Sequence, residues 1–160
     1  ARLLMAPGGP AAAVLSFDGW DTHANQGSTH GALAFRLAGL DAALGALKTA
    51  LGPSWRQTVV VVASEFGRTV AENGTGGTDH GTGGVALVRG GGVRGGRFLG
   101  DWPGLAPSAL YQNRDLAPAN DLRAVFAGVL AEHWGLDQHT LTSRVFPGAS
   151  GLRPIGGLLA

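Results

Sequence analysis

Thr58-Val-Val-Val-Val-Ala63 decides how the rest of the chain is read. The run is β-branched and apolar on both faces, which suits a central parallel strand covered on both sides. It leads straight into the polar cluster Ser64-Glu65-Phe66-Gly67-Arg68-Thr69. N-terminal to it, Leu33, Leu37, Leu40, Leu44, Leu47 and Leu51 recur at spacings of 4, 3, 4, 3 and 4. That is one apolar stripe on a helix, with Ser28 or Thr29 as candidate caps and Gly52-Pro53 as its stop. The stripe lacks the charged flanking positions of a coiled coil, so it reads as a core helix. Ala11–Phe17 reads as an earlier strand and Val85–Val88 as a later one. Arg97–Leu99 is a short strand that forms a hairpin with the latter. A last helix spans about Asp121–Trp134, with Asn120 as N-cap and Gly135 as C-cap. Strands alternating with helices predict an α/β domain with a mostly parallel central sheet and flanking helices. One domain over residues 1–160 is expected, with 145–160 as a peripheral tail.

Composition narrows the chemistry. The 160 residues carry a net charge of +1 and no cysteine, which excludes disulfides and thiolate metal sites. The near-neutral balance gives no field for nucleic acid. No apolar run approaches the ~18 residues needed for a membrane span. The 28 glycines more than double the average usage of roughly 7%. Apolar runs alternate with them and no three-residue period exists, so neither collagen nor a flexible linker fits. Half of these glycines fall between Gly67 and Gly104, around Gly77-Thr-Asp-His-Gly81. Backbone free of side chains lets such a segment approach a ligand closely or take positive φ.

Ligand groups in open α/β sheets collect outside the carboxyl ends of the strands. Three polar clusters fall at or near such positions: Asp18, Asp21 and His23; Glu65 and Arg68; Asp79 and His80. Carboxylates and imidazoles together suit a hard or borderline divalent cation. Asp21, His23, Glu65 and His80 are the expected ligands. Asp18, Asp79 and Arg68 are expected to support them or to bind an anion. His30, His133 and His139 read as capping residues at helix ends. Gly81-Thr-Gly-Gly-Val-Ala86 has a dinucleotide-loop spacing but precedes a strand instead of following one. No phosphate loop and no Gly-x-Ser-x-Gly elbow occurs. Asn73-Gly-Thr75 matches the short glycosylation pattern.

Phe17-Asp-Gly-Trp-Asp-Thr-His-Ala-Asn-Gln26, Ala63-Ser-Glu-Phe-Gly-Arg-Thr69, Gly77-Thr-Asp-His-Gly81, Asp121-Leu-Arg123 and Val145-Phe-Pro-Gly148 together resemble the bacterial domain-of-unknown-function family 1501. Members are usually longer and often carry a twin-arginine export signal, and this chain resembles their C-terminal part. The resemblance therefore implies a periplasmic or exported location. That family in turn resembles the alkaline phosphatase and sulfatase superfamily. This second likeness implies the C-terminal portion of an alkaline-phosphatase-like α/β domain, with a divalent metal such as zinc or manganese. It also implies a small phosphate or sulfate ester as substrate. The superfamily's Ser or Thr nucleophile comes from an N-terminal strand and helix, so none is assigned here. Phe66 stands where the superfamily has a metal-binding His, which implies one metal held by Asp21, His23 and His80, with Glu65 as ligand or support. Two functions stay open: part of a metal-dependent ester hydrolase, or a non-catalytic binding module of the same fold. An exposed strand edge further implies self-association.

Overall fold

The computed structural model describes all of residues 1–160, and its chain order is short and helix-led. Helix α1 (Arg2–Met5) is one turn. Helix α2 (Ala32–Leu51) carries the predicted leucine stripe and ends where Gly52-Pro53 opens a 3-10 turn through Gln57. Strand β1 (Val59–Val62) follows, then the two-residue strands β2 (Gly67–Arg68) and β3 (His80–Gly81), then β4 (Leu87–Gly90). Helix α3 (Leu122–Trp134) and the single turn α4 (Gln138–Thr140) come last, α4 continuing into a π turn through Val145.

The strands overturn the expected parallel sheet. They form two separate two-stranded sheets, β1 with β4 and β2 with β3, and both are antiparallel. The register runs from Val59 opposite Gly90 to Val62 opposite Leu87. The reason lies in the connection. A parallel pair needs a crossover, usually a helix. Residues 63–86 contain no helix, and the chain doubles back through β2 and β3 before returning beside β1. Ala11–Phe17 joins neither sheet, and Val14 and Leu15 stand almost fully exposed. Arg97–Leu99 forms no strand either; it belongs to neither sheet and to no isolated bridge.

Helix ends follow local chemistry. The Asp121 side chain, not that of Asn120, accepts the Arg123 backbone N–H and caps α3. Gly135 ends α3 in the left-handed conformation, φ 67°. Helix α2 starts at Gly31, with no side-chain cap from Ser28 or Thr29.

Packing is concentrated at the C-terminal end. Ala124 and Ala127 of α3 are buried with Leu141, Ala149 and Leu152. The tail is drawn into this cluster. Ile155 N–H donates to Ala124 O, and Glu132 accepts the N–H groups of Gly157 and Leu159. At Gly128 a Cβ would stand 2.1 Å from Ile155 O, so only glycine lets the tail lie against α3. A second anchor is polar. Asp115 is only 1% exposed. Its carboxylate accepts from Arg114 Nε at 2.8 Å and Thr82 Oγ1 at 2.8 Å. Its backbone bridges to Thr69 and to Tyr111. These contacts fasten the β2–β3 unit to residues 111–116.

Arg114 first, and then Thr82, hold the Asp115 carboxyl below its ordinary value of 3.8, against the cost of desolvation. A carboxyl more acidic in the folded chain stabilises it fully above its unfolded pKa, and that contribution fades as pH falls through the folded value. Asp115→Ala is expected to lower stability by about 1–3 kcal/mol at neutral pH. Urea unfolding checks this, and the gap between variant and wild type should narrow below about pH 4.

Candidate functional site

The site forms where a loop before α2 meets the β2–β3 pair. Arg68 lies directly opposite His80 in that pair, so both side chains leave the same face. The loop carrying Asp21 and His23 is laid against them by main-chain contacts. Asn25 N–H donates to Thr75 O, Gln26 N–H to Gly76 O and Thr78 N–H to Thr22 O. Gln26 Oε1 accepts from Thr22 Oγ1 and Thr78 Oγ1, each at 2.7 Å, which stitches the two loops once more. The approach is so close that a Cβ on Gly77 would stand 2.3 Å from the carbonyl carbon of His23. The glycine-rich segment is expected to approach a ligand; in the structure, Gly77 instead lets it pack against the His23 main chain.

One oxygen is the focus. Asp21 Oδ1 lies 2.9 Å from His23 Nε2, 2.8 Å from His80 Nε2 and 2.8 Å from Arg68 Nη2. One ligand atom from each of Asp21, His23 and His80 lies within 4.8 Å of the others. Two donors on a metal at about 2.1 Å stand about 3.0–3.4 Å apart, and the two imidazole–carboxylate separations lie just below that range. All three side chains are about half exposed, which leaves a face open to solvent.

The surroundings orient these groups. His23 presents its other nitrogen, Nδ1, to Asp79 Oδ1 at 3.3 Å. Asp79 is in turn held by Asn73 Nδ2 at 3.0 Å. Arg68 donates to Trp20 O and Thr78 O as well as to Asp21, so its guanidinium ties both loops together. The Phe66 ring stacks on His80 with centroids 4.3 Å apart, and the Arg68 guanidinium carbon lies 5.1 Å from the Phe66 ring centroid. The hydrogen bond from His80 holds the Asp21 carboxyl below its ordinary value, against desolvation and with help from Arg68 and His23. Asn73, then His23, does the same for Asp79. Both carboxylates are therefore ionised at neutral pH, the form that binds cations.

Two expected residues stand apart from this group. Glu65 is exposed in the turn between β1 and β2 and forms no ion pair. Asp18 accepts from Ser16 Oγ at 2.8 Å and has no contact with the histidines. Asn73, Thr75 and Gln26 were not expected at the site. Their only local signal is an Asn followed by Gly-Thr-Gly-Gly, a pattern that favours side-chain-to-backbone turns.

Gly77→Ala is expected to force the two loops apart and to cost about 1–3 kcal/mol. Thermal unfolding of the variant checks this. Gly74→Ala is the control, because a Cβ there meets nothing within 4 Å.

The family model described as "Protein of unknown function (DUF1501)" matches residues 1–145. No curated protein and no solved structure matches the chain. Helices of this chain are too short or too polar to cross a membrane. With 145 of its 160 residues inside the match, the chain belongs to the DUF1501 family.

Proposed function

We propose that Asp21, His23 and His80 hold one divalent cation, and that the loaded centre acts on a small phosphate or sulfate ester. The convergence of two imidazole nitrogens and one carboxylate oxygen carries this reading. Neutral imidazole and carboxylate suit zinc, manganese or ferrous iron; zinc and manganese fit ester chemistry without redox. His23 faces a carboxylate on each side. A neutral ring that donates Nδ1–H to Asp79 keeps a bare Nε2 lone pair aimed at the centre. Three protein ligands and an open face resemble a catalytic metal site more than a closed structural one. When bound, the metal polarises an ester oxygen and acidifies a coordinated water. Arg68 adds positive charge beside Asp21, while Phe66 keeps the His80 ring in one plane. The family resemblance supports the same reading and extends it to export from the cytoplasm.

The second reading is a metal-binding module without turnover. Its support is Phe66, which fills the space beside His80 with an apolar ring where a second metal would need a ligand.

Titration calorimetry with Zn²⁺ and Mn²⁺ tests the metal. Wild type is expected to bind one equivalent. His23→Ala and His80→Ala should each lose more than the ten- to hundredfold that removal of an outer partner costs. Affinity should also fall as pH is lowered from about 7 to about 5, because protons compete for the imidazoles. No uptake, or unchanged uptake in the double variant, overturns the metal reading. Hydrolysis of an aryl phosphate or aryl sulfate that disappears with His80→Ala selects the hydrolase, and metal uptake without hydrolysis selects the module.

A further inference from the structure

We propose that Asn73 is a positioning residue that sets which nitrogen His23 presents to the metal, acting through Asp79. The inference rests on the metal reading above and adds a residue to it. Asn73 sits in the turn between β2 and β3, and both ends of its amide are engaged. Oδ1 accepts the N–H groups of Thr75 and Gly77, each at 3.0 Å. Those two donors fix the amide orientation, because an amine there would face hydrogens. Nδ2 must then point the other way, where it donates to His23 O at 2.9 Å and to Asp79 Oδ1 at 3.0 Å. The same Asp79 oxygen lies 3.3 Å from His23 Nδ1. One amide thus holds both the main chain of His23 and the carboxylate that faces its ring.

The chemical consequence follows from the donor inventory. Asp79 and Asp21 can both only accept, and His23 faces one with each ring nitrogen, Nδ1 at 3.3 Å and Nε2 at 2.9 Å. A cation on Nε2 takes the place of the proton directed at Asp21, and the single remaining ring proton then sits on Nδ1, facing Asp79. An Asn73 amide turned or removed frees Asp79 to swing away, and the His23 ring loses the contact that selects its tautomer.

Co²⁺ is the probe, because its visible absorption reports the ligand set as well as affinity. Asn73→Asp places an acceptor against Asp79 and His23 O. It is expected to weaken Co²⁺ binding by about ten- to a hundredfold and to change the absorption spectrum. Asp79→Asn leaves every hydrogen bond to Asn73 Oδ1 in place, so it reads the same path on an intact loop and should shift binding in the same direction. Wild-type binding in Asn73→Asp, or wild-type binding in Asp79→Asn, overturns the proposal. A wild type that takes up no Co²⁺ overturns the metal reading instead. Positioning is then read in the metal-free chain, from the His23 Nδ1–H signal in ¹H–¹⁵N spectra. Its presence in wild type and loss in Asn73→Asp supports the inference, and an unchanged signal overturns it.

Discussion

A buried carboxylate organises the middle of this chain. Asp115 is the one acidic side chain shut away from solvent, and it lies outside the candidate site. Its oxygens take hydrogen bonds from Arg114 and Thr82 while its backbone bridges to Thr69. Thr69 follows β2 and Thr82 follows β3, so Asp115 holds both strands of the pair, one through its backbone and the other through its carboxylate, just past Arg68 and His80. The β2–β3 pair is only two residues long on each side, too short to persist by its own ladder. Its register, and with it the placement of Arg68 against His80, depends on this anchorage from residues 111–116.

Local signals foretold the local elements well. The leucine spacing located α2 and its end at Leu51, though its start falls at Ala32 and only Leu51 of the stripe is buried, and the valine run located β1. Both follow from short-range periodicity, which the sequence displays directly. The direction of strand pairing did not follow. A strand apolar on both faces fits a covered parallel sheet, yet β1 pairs antiparallel with β4 and its valines are only partly buried. Whether the chain crosses over or doubles back depends on contacts between distant segments, such as Thr82 with Asp115, that leave no periodic trace. Ala11–Phe17 shows the same limit: its strand propensity is real, but a strand exists only with a partner.

The candidate site was more legible than the fold, for a chemical reason. Few side chains suit metal coordination, so Asp21, His23 and His80 stand out wherever they lie, and the structure draws their donor atoms together. Glu65 shows where that logic stops, since its place in sequence beside a strand end says nothing about the turn that carries it outward. Asn73 shows the converse. Its residue type is common in loops, and its importance arises only because Gly77 lets the loop pass against His23.

The hydrogen bond between Arg68 and Asp21 spans 47 residues, and helix α2 lies entirely within the loop it closes. In a chain without cysteine, this guanidinium acts as a topological clasp. It reaches Trp20 O besides Asp21, so the loop is closed at two neighbouring points, and it also ties in the β2–β3 turn through Thr78 O. Closing a long loop removes conformational freedom from the open chain, at a cost that grows only slowly with length. The consequence is geometric: both ends of the segment that carries α2 meet at the carboxylate at the centre of the site, joined by a single planar, always-charged group.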